Sequence, residues 1–177
     1  MTKLYYVMQN DQAISSIIWP AFKDTLEEKH GGAGKLGARG EDDAAMFLQN
    51  EKYFPDLNVV IKHEDALHQL IGIDFTTVDV NGFVNYIDVK TGSSSLYWDK
   101  EKRDWFITFN PDWFTNTRKK TEYIMHIGPK GDVFAFYSIN KMIEWGYNNK
   151  TLFTQGKYNT ILYKQFWNKD LIQTNLW

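Results

Sequence analysis

The stretch that decides the fold runs from Ile71 to Lys90 and reads IGIDFTTVDVNGFVNYIDVK. Ile71, Ile73 and Phe75 alternate with Gly72, Asp74 and Thr76, and Ile87 and Val89 alternate with Tyr86, Asp88 and Lys90. A period of two is that of a strand, in which residues i and i+2 share a face. Asn81-Gly82 between the runs is a strong hairpin signal. The register then depends on the turn. A two-residue turn at Asn81-Gly82 pairs Asp74 with Val89 and sends the two acids to opposite faces. A three-residue loop, Val80-Asn81-Gly82, with Gly82 left-handed as a G1-type bulge, pairs Asp79 with Phe83 and Asp74 with Asp88. The three-residue loop is the expected one, because only it lets the two acids act together.

Outward from the hairpin, Val59-Val60-Ile61 reads as a preceding strand. Trp105 to Phe109 reads as a third strand after it, followed by Tyr123 to Ile127 and Val133 to Tyr137. Ser15 to His30 has helical spacing in Ile17, Ile18, Phe22 and Leu26. Gly31 to Gly37 reads as a loop; Leu36 after Lys35 removes the Gly-Lys-[Ser/Thr] of a phosphate-binding loop. A helix is expected from about Ala38, with Glu41, Asp42 and Asp43 in its first turn, where the helix dipole favours negative charge. Asn110-Pro111 starts a short helix to Lys119, and Asn140 to Trp145 is a helix stopping at Gly146. Thr160 to Phe166 is one more strand. The fold class is therefore α/β, a central mixed β-sheet flanked by helices. Residues 1–177 are read as one domain with a core at about 38–146, an N-terminal helical segment at 1–37 and a C-terminal extension at 147–177.

Of the 177 residues, 43% are apolar and 16% aromatic, enough to bury a core without staples. The chain has no cysteine, which excludes disulfides and thiolate zinc sites and fits a reducing cytoplasm. Neither a signal peptide nor a membrane span is expected. The net charge of −2 argues against non-specific coating of nucleic acid, yet residues 90–130 carry eight Lys/Arg against five Asp/Glu.

Two acids and a lysine on one strand face are a sufficient set for metal-assisted phosphodiester hydrolysis. A hard divalent ion takes carboxylate ligands and activates water, while a nearby ammonium stabilises charge at the phosphate. Taken in order, Glu41 on a helix, Asp74 in Ile71-Gly72-Ile73-Asp74, and Ile87-Asp88-Val89-Lys90 resemble the motifs of the PD-(D/E)XK nuclease superfamily. That group spans restriction endonucleases, Holliday-junction resolvases and phage nucleases. The resemblance covers Ala38 to Tyr137, with Ile73 standing where the motif often has Pro. It implies a restriction-endonuclease-like core and a Mg²⁺-dependent deoxyribonuclease of endonuclease type, with Mn²⁺ able to substitute. Asp74, Asp88 and the Val89 carbonyl would hold the metal, and Lys90 would assist the nucleophile. Glu41 joins the catalytic set, against the plainer reading that it stabilises a helix N-terminus. DNA is the implied substrate, and a homodimer is an expectation, because many nucleases of this fold act as dimers. The Asn-, Lys-, Ile- and Tyr-rich composition is that of an AT-rich genome such as a phage, so the expected location is the cytoplasm of a bacterial or phage-infected cell.

Other candidates rank lower. Arg118, Lys119 and Lys120 form a solvated helix end or, alternatively, a nucleic-acid contact. Tyr97, Trp98, Trp105 and Trp113 read as core packing before base stacking. His30, His63, His68 and His126 lack zinc-like spacing, and His63 and His68 fall in a polar loop. Like charges at Asp74, Asp88 and Glu41 repel without a metal, so neutralising Asp88 is expected to preserve or raise the melting temperature. Two other function classes stay open: a non-catalytic DNA-binding or protein-docking module on the same fold, and a nuclease acting on RNA.

Overall fold

The computed structural model describes residues 3–9, 34–110, 118–149, 154–155 and 160–177. The helices expected at Ser15 to His30 and from Pro111 onward, and Trp113, lie outside the described residues. The elements in chain order are β1 (Leu4–Met8), α1 (Gly34–Gln49), β2 (Leu57–His63), α2 (Ala66–Leu70), β3 (Phe75–Asp79), β4 (Val84–Lys90), β5 (Leu96–Asp99) and β6 (Asp104–Phe109). These are followed by β7 (Tyr123–Ile127), β8 (Phe134–Ser138), α3 (Ile139–Asn148), β9 (Thr154–Gln155), β10 (Thr160–Tyr163) and β11 (Gln173–Thr174).

The main sheet is mixed, in the order β1-β2-β3-β4-β7-β8-β11. β1 runs parallel to β2, β4 runs parallel to β7, and the other neighbours are antiparallel. A second, antiparallel sheet has the order β5-β6-β10-β9. The architecture is therefore α/β as expected. Trp105 to Phe109, however, belongs to the second sheet, and this vacates the place beside β4 for β7. The strand Leu4–Met8 stands inside a segment read as helical. No helix among the described residues is long and apolar enough to cross a membrane.

Both faces of the main sheet are covered, which explains why β7 and β8 read as nearly continuous apolar runs. On one face Ala44, Ala45 and Leu48 of α1 pack on Val60, Phe75, Ile87, Val89, Met125, Ile127 and Phe134. On the other, Ile124, Ala135 and Tyr137 meet Leu96, Ile107 and Phe109 of the second sheet, Met142 of α3, and Leu162, Trp167 and Ile172. Full burial of a side chain such as Phe134 or Ile87 contributes about 1.5–3 kcal/mol.

Three helix readings change. α1 begins at Gly34 rather than near Ala38, so Glu41, Asp42 and Asp43 lie beyond its first turn and away from the positive end of its dipole. α2 takes residues read as loop, with Asp65 as N-cap accepting from the His68 N–H. α3 continues through Gly146 to a C-cap at Asn149. Close packing fixes α1 at one point: a Cβ on Gly40 would collide with the Thr91 side chain. Only glycine lets the helix sit this near the end of β4.

The hairpin takes the three-residue loop. Asp79 N–H donates to Phe83 O at 3.0 Å, Gly82 N–H donates back to Asp79 O at 3.0 Å, and Gly82 has φ +85°. The ladder pairs Val78 with Val84 and Phe75 with Ile87. The Asp79 carboxylate accepts from the N–H groups of Asn81 (2.8 Å) and Phe83 (2.9 Å), which secures the loop from inside.

Because a Cβ at Gly82 meets nothing within 4 Å, its substitution tests backbone strain alone. Gly82→Ala should lower unfolding free energy by about 1–2 kcal/mol, and Gly82→Asn by less, since Asn tolerates the left-handed region. Urea denaturation checks both; an unchanged midpoint for Gly82→Ala would contradict the loop geometry.

Candidate active site

Asp74 sits one residue before β3, where the ladder breaks. Its N–H donates to Ile87 O at 2.9 Å, one residue short of the regular register, so the backbone pairing of Asp74 with Asp88 is replaced by a bulge-like irregularity. The side chain then takes over the next donor: Val89 N–H donates to Asp74 Oδ2 at 2.7 Å. That bond draws the Asp74 carboxylate alongside β4. The expected cross-strand pair of Asp74 with Asp88 does not form; the Asp74 carboxylate is instead held beside β4 by its bond from the Val89 N–H.

On β4, Ile87 and Val89 belong to the core under α1, so Asp88 and Lys90 point to the opposite face. That face is covered as well, and Asp88 is only 5% exposed. A buried carboxylate needs partners. Lys90 Nζ lies 2.7 Å away, and Lys119 Nζ donates to Asp88 Oδ2 at 2.9 Å. Both lysine side chains remain about a quarter exposed, 25% and 24%. Beneath them His126, fully buried, is bracketed by Ser95 Oγ at 2.7 Å and Tyr137 OH at 2.8 Å. Burial and the nearby Lys90 push its pKa down to about 3, so it is neutral at physiological pH.

Lys119 was legible only as part of a basic helix end with Arg118 and Lys120. Arg118 and Lys120 are exposed, whereas Lys119 turns inward. Lys120 N–H donates to Ile71 O at 2.9 Å and Thr121 Oγ1 donates to Gly72 O at 2.5 Å, strapping this segment to the loop before Asp74. The space left by Gly72 is occupied by the Lys119 stem, with Cγ 3.3 Å from where a Cβ would stand.

Glu41 is half-buried and turns toward Lys62, whose Nζ is 3.7 Å away. Lys62, itself buried, also meets Asp42 at 2.8 Å and Glu64 at 3.4 Å, tying α1 to β2. Burial holds the Glu41 carboxyl above its ordinary value, against the pull of Lys62. Tyr97 and Trp105 are partly buried, but Trp98 is 47% exposed and meets Trp105 edge-on at 5.9 Å, so the aromatic group is only partly core.

The two central acids are shifted in opposite directions. Burial, and then the charges of Asp88 and Glu41, hold the Asp74 carboxyl well above the usual carboxylate range, against the Val89 N–H and Lys90. Burial raises Asp88 too, but Lys90 and Lys119 more than offset it and hold its carboxyl low. The set offers carboxylate oxygens held close together, the donor chemistry of a hard divalent cation, whose binding would favour the ionised form of Asp74.

No family model matches the chain, and no curated protein matches it. A solved structure of a bacterial homing endonuclease, I-Ssp6803I, superposes on 78% of this chain and 82% of its own, with a TM-score of 0.45 and 14% identity.

These opposite shifts reverse the simple expectation for Asp88. A raised Asp74 keeps a proton on folding that the unfolded chain releases. Its contribution to stability is therefore present below the unfolded value and lost as pH rises through the folded one. A lowered Asp88 contributes above the unfolded value and loses that contribution as pH falls through the folded one. At pH 7, Asp74→Asn should raise the melting temperature of the metal-free protein. Asp88→Asn should lower it, by up to roughly 3 kcal/mol for a broken buried pair, less to the extent that the lysines reach solvent. Thermal melts between pH 4 and 8 check both signs; a stabilised Asp88→Asn would contradict the assigned pairing.

Proposed function

We propose that this chain is a metal-dependent nuclease that hydrolyses DNA phosphodiester bonds with Asp74, Asp88 and Lys90. The observation that carries this reading is the convergence of two carboxylates, shifted in opposite directions, and two lysine ammonium groups around the end of β4. In a purely structural role, a buried Asp88 needs only one cation, and Asp74 has no reason to be held beside it at a cost.

Asp74 and Asp88, with the Val89 carbonyl, would hold Mg²⁺ or, in its place, Mn²⁺. The ion supplies Lewis acidity and a water of lowered pKa. Asp74 is kept aimed by the Val89 N–H, and the rigid β3–β4 hairpin keeps the two carboxylates in fixed relation. Lys90 lies beside both acids and orients the attacking water or stabilises charge at the phosphate. Lys119, which reaches the same Asp88 oxygen as Lys90, would offer a second ammonium to the phosphate. Glu41, whose charge is felt at Asp74, would be the group to take up a proton there. The resemblance to the PD-(D/E)XK motifs supports DNA as the substrate.

Supercoiled plasmid and structured RNA, each incubated with Mg²⁺ and with EDTA, test the reading. Plasmid nicking that EDTA abolishes is expected. Binding of DNA without cleavage would favour a non-catalytic module, and cleavage of RNA alone would favour a ribonuclease. Lys90→Ala should fold yet lose at least about a hundredfold in cleavage rate, the usual effect of removing a positioned charge stabiliser. Near-wild-type nicking by that variant would remove Lys90 from the mechanism.

A further inference from the structure

Behind Asp74 lies a second cluster that the nuclease reading does not use. His63 ends β2 and is buried, Asp65 caps α2 and is buried, and His68 stands in the first turns of α2 with its side chain 30% exposed. The spacing His-x-Asp-x₂-His across a strand-to-helix junction brings together residues expected in a polar loop. His63 Nδ1 is 3.2 Å from Asp65 Oδ1 and His68 Nδ1 is 2.6 Å from Asp65 Oδ2. The two imidazole rings stack with centroids 3.7 Å apart and 10° between planes. One ligand atom from each of the three residues lies within 4.8 Å of the others. That spread is close to the roughly 3.3–4.2 Å separations of ligands around an ion with 2.0–2.1 Å bonds.

We infer that His63, Asp65 and His68 form a structural site for a transition-metal ion of the Zn²⁺ class. Two imidazoles and a carboxylate suit Zn²⁺, Co²⁺ or Ni²⁺, whereas Mg²⁺ prefers an all-oxygen shell. The outer contacts fit as well. Thr76 Oγ1 sits 2.7 Å from His63 Nε2, so Nε2–H donating to the hydroxyl leaves the Nδ1 lone pair toward Asp65, the tautomer a metal requires. Burial, then the neighbouring His68, holds the His63 pKa below its ordinary value, which favours the neutral, ligating form. Without an ion, His63 takes the opposite tautomer, with the Thr76 hydroxyl donating to Nε2, and Asp65 accepts from both Nδ1–H groups. Coordination through both Nδ1 atoms shifts each ring's proton to Nε2 and tilts the His68 ring out of the stack. Its partial exposure gives it room, and a water completes the fourth position.

The ion would clamp the segment that presents Asp74. His63 N–H donates to Asp74 O at 2.8 Å, and Thr76 lies two residues beyond Asp74. His63, Asp65, His68 and Thr76 thus bind the two ends of this connection to one point. The site does not depend on the nuclease reading, since none of its ligands is shared.

Titration with Co²⁺ tests it in wild type, Asp74→Asn and His68→Gln. Asp74→Asn should take one equivalent of Co²⁺ with an intense visible absorption of nitrogen-ligated, low-coordinate cobalt, and wild type should show the same band whatever further Co²⁺ Asp74 and Asp88 take up. Zn²⁺ should raise the melting temperature of both by several degrees. His68→Gln should weaken binding at least tenfold and lose the thermal shift. X-ray absorption of Zn²⁺-loaded wild type should show two imidazoles, a readout that does not depend on the variant folding. An all-oxygen shell, equal Co²⁺ binding by His68→Gln, or no binding by wild type would overturn the site.

Discussion

The bulged hairpin is the constraint on which the rest depends. Side chains alternate strictly along a strand, so a slip of one residue between β3 and β4 moves every side chain to the other face. Gly82 at φ +85° and the Asp79 carboxylate fix the loop at three residues, and the register follows. Ile87 and Val89 then fall under α1, and Asp88 and Lys90 fall on the far face. The hydrophobic core and the polar site are two readings of one register, and the burial of Phe75, Ile87 and Val89 enforces it.

Once placed there, Asp88 cannot be left alone. Its covered position calls for cations, and the molecule supplies one from the same strand and one from a distant segment. Lys119 reaches it because Lys120 and Thr121 are strapped to Ile71 and Gly72, the loop that also delivers Asp74. The same short connection therefore positions an acid and a base of the site. Asp74 is left with the unfavourable share of the charge, beside Asp88 and within the field of Glu41. This division is a cost in stability that a purely structural pair would avoid.

Much of this was legible in the sequence, for local reasons. Asn81-Gly82 and the alternation up to Lys90 specify the hairpin, and Asp88-Val89-Lys90 carries its own strand phase, whereas the alternation from Ile71 to Asp74 falls on the cap of α2 and a turn before β3. Alternation marks a strand without saying which sheet receives it. Trp105 to Phe109 was recognisable, but its partners Leu96–Asp99 and Thr160–Tyr163 are set by tertiary packing, the latter more than fifty residues on. Leu4–Met8 is five apolar or aromatic residues without alternation and gains its strand identity only beside β2. The role of Lys119 rests on a long-range strap, so its basic neighbours concealed it. His63 and His68 were set aside on spacing, because a strand-to-helix junction folds a short spacing back on itself.

The most direct measurement of the central claim is a crystal structure of the protein soaked in Mn²⁺, with the ion located by its anomalous signal. The account predicts a peak bonded to the carboxylates of Asp74 and Asp88 at about 2.2 Å, with a Lys90 or Lys119 ammonium withdrawn from Asp88. Asp88 still capped by both lysines, with no peak between the two acids, would contradict it.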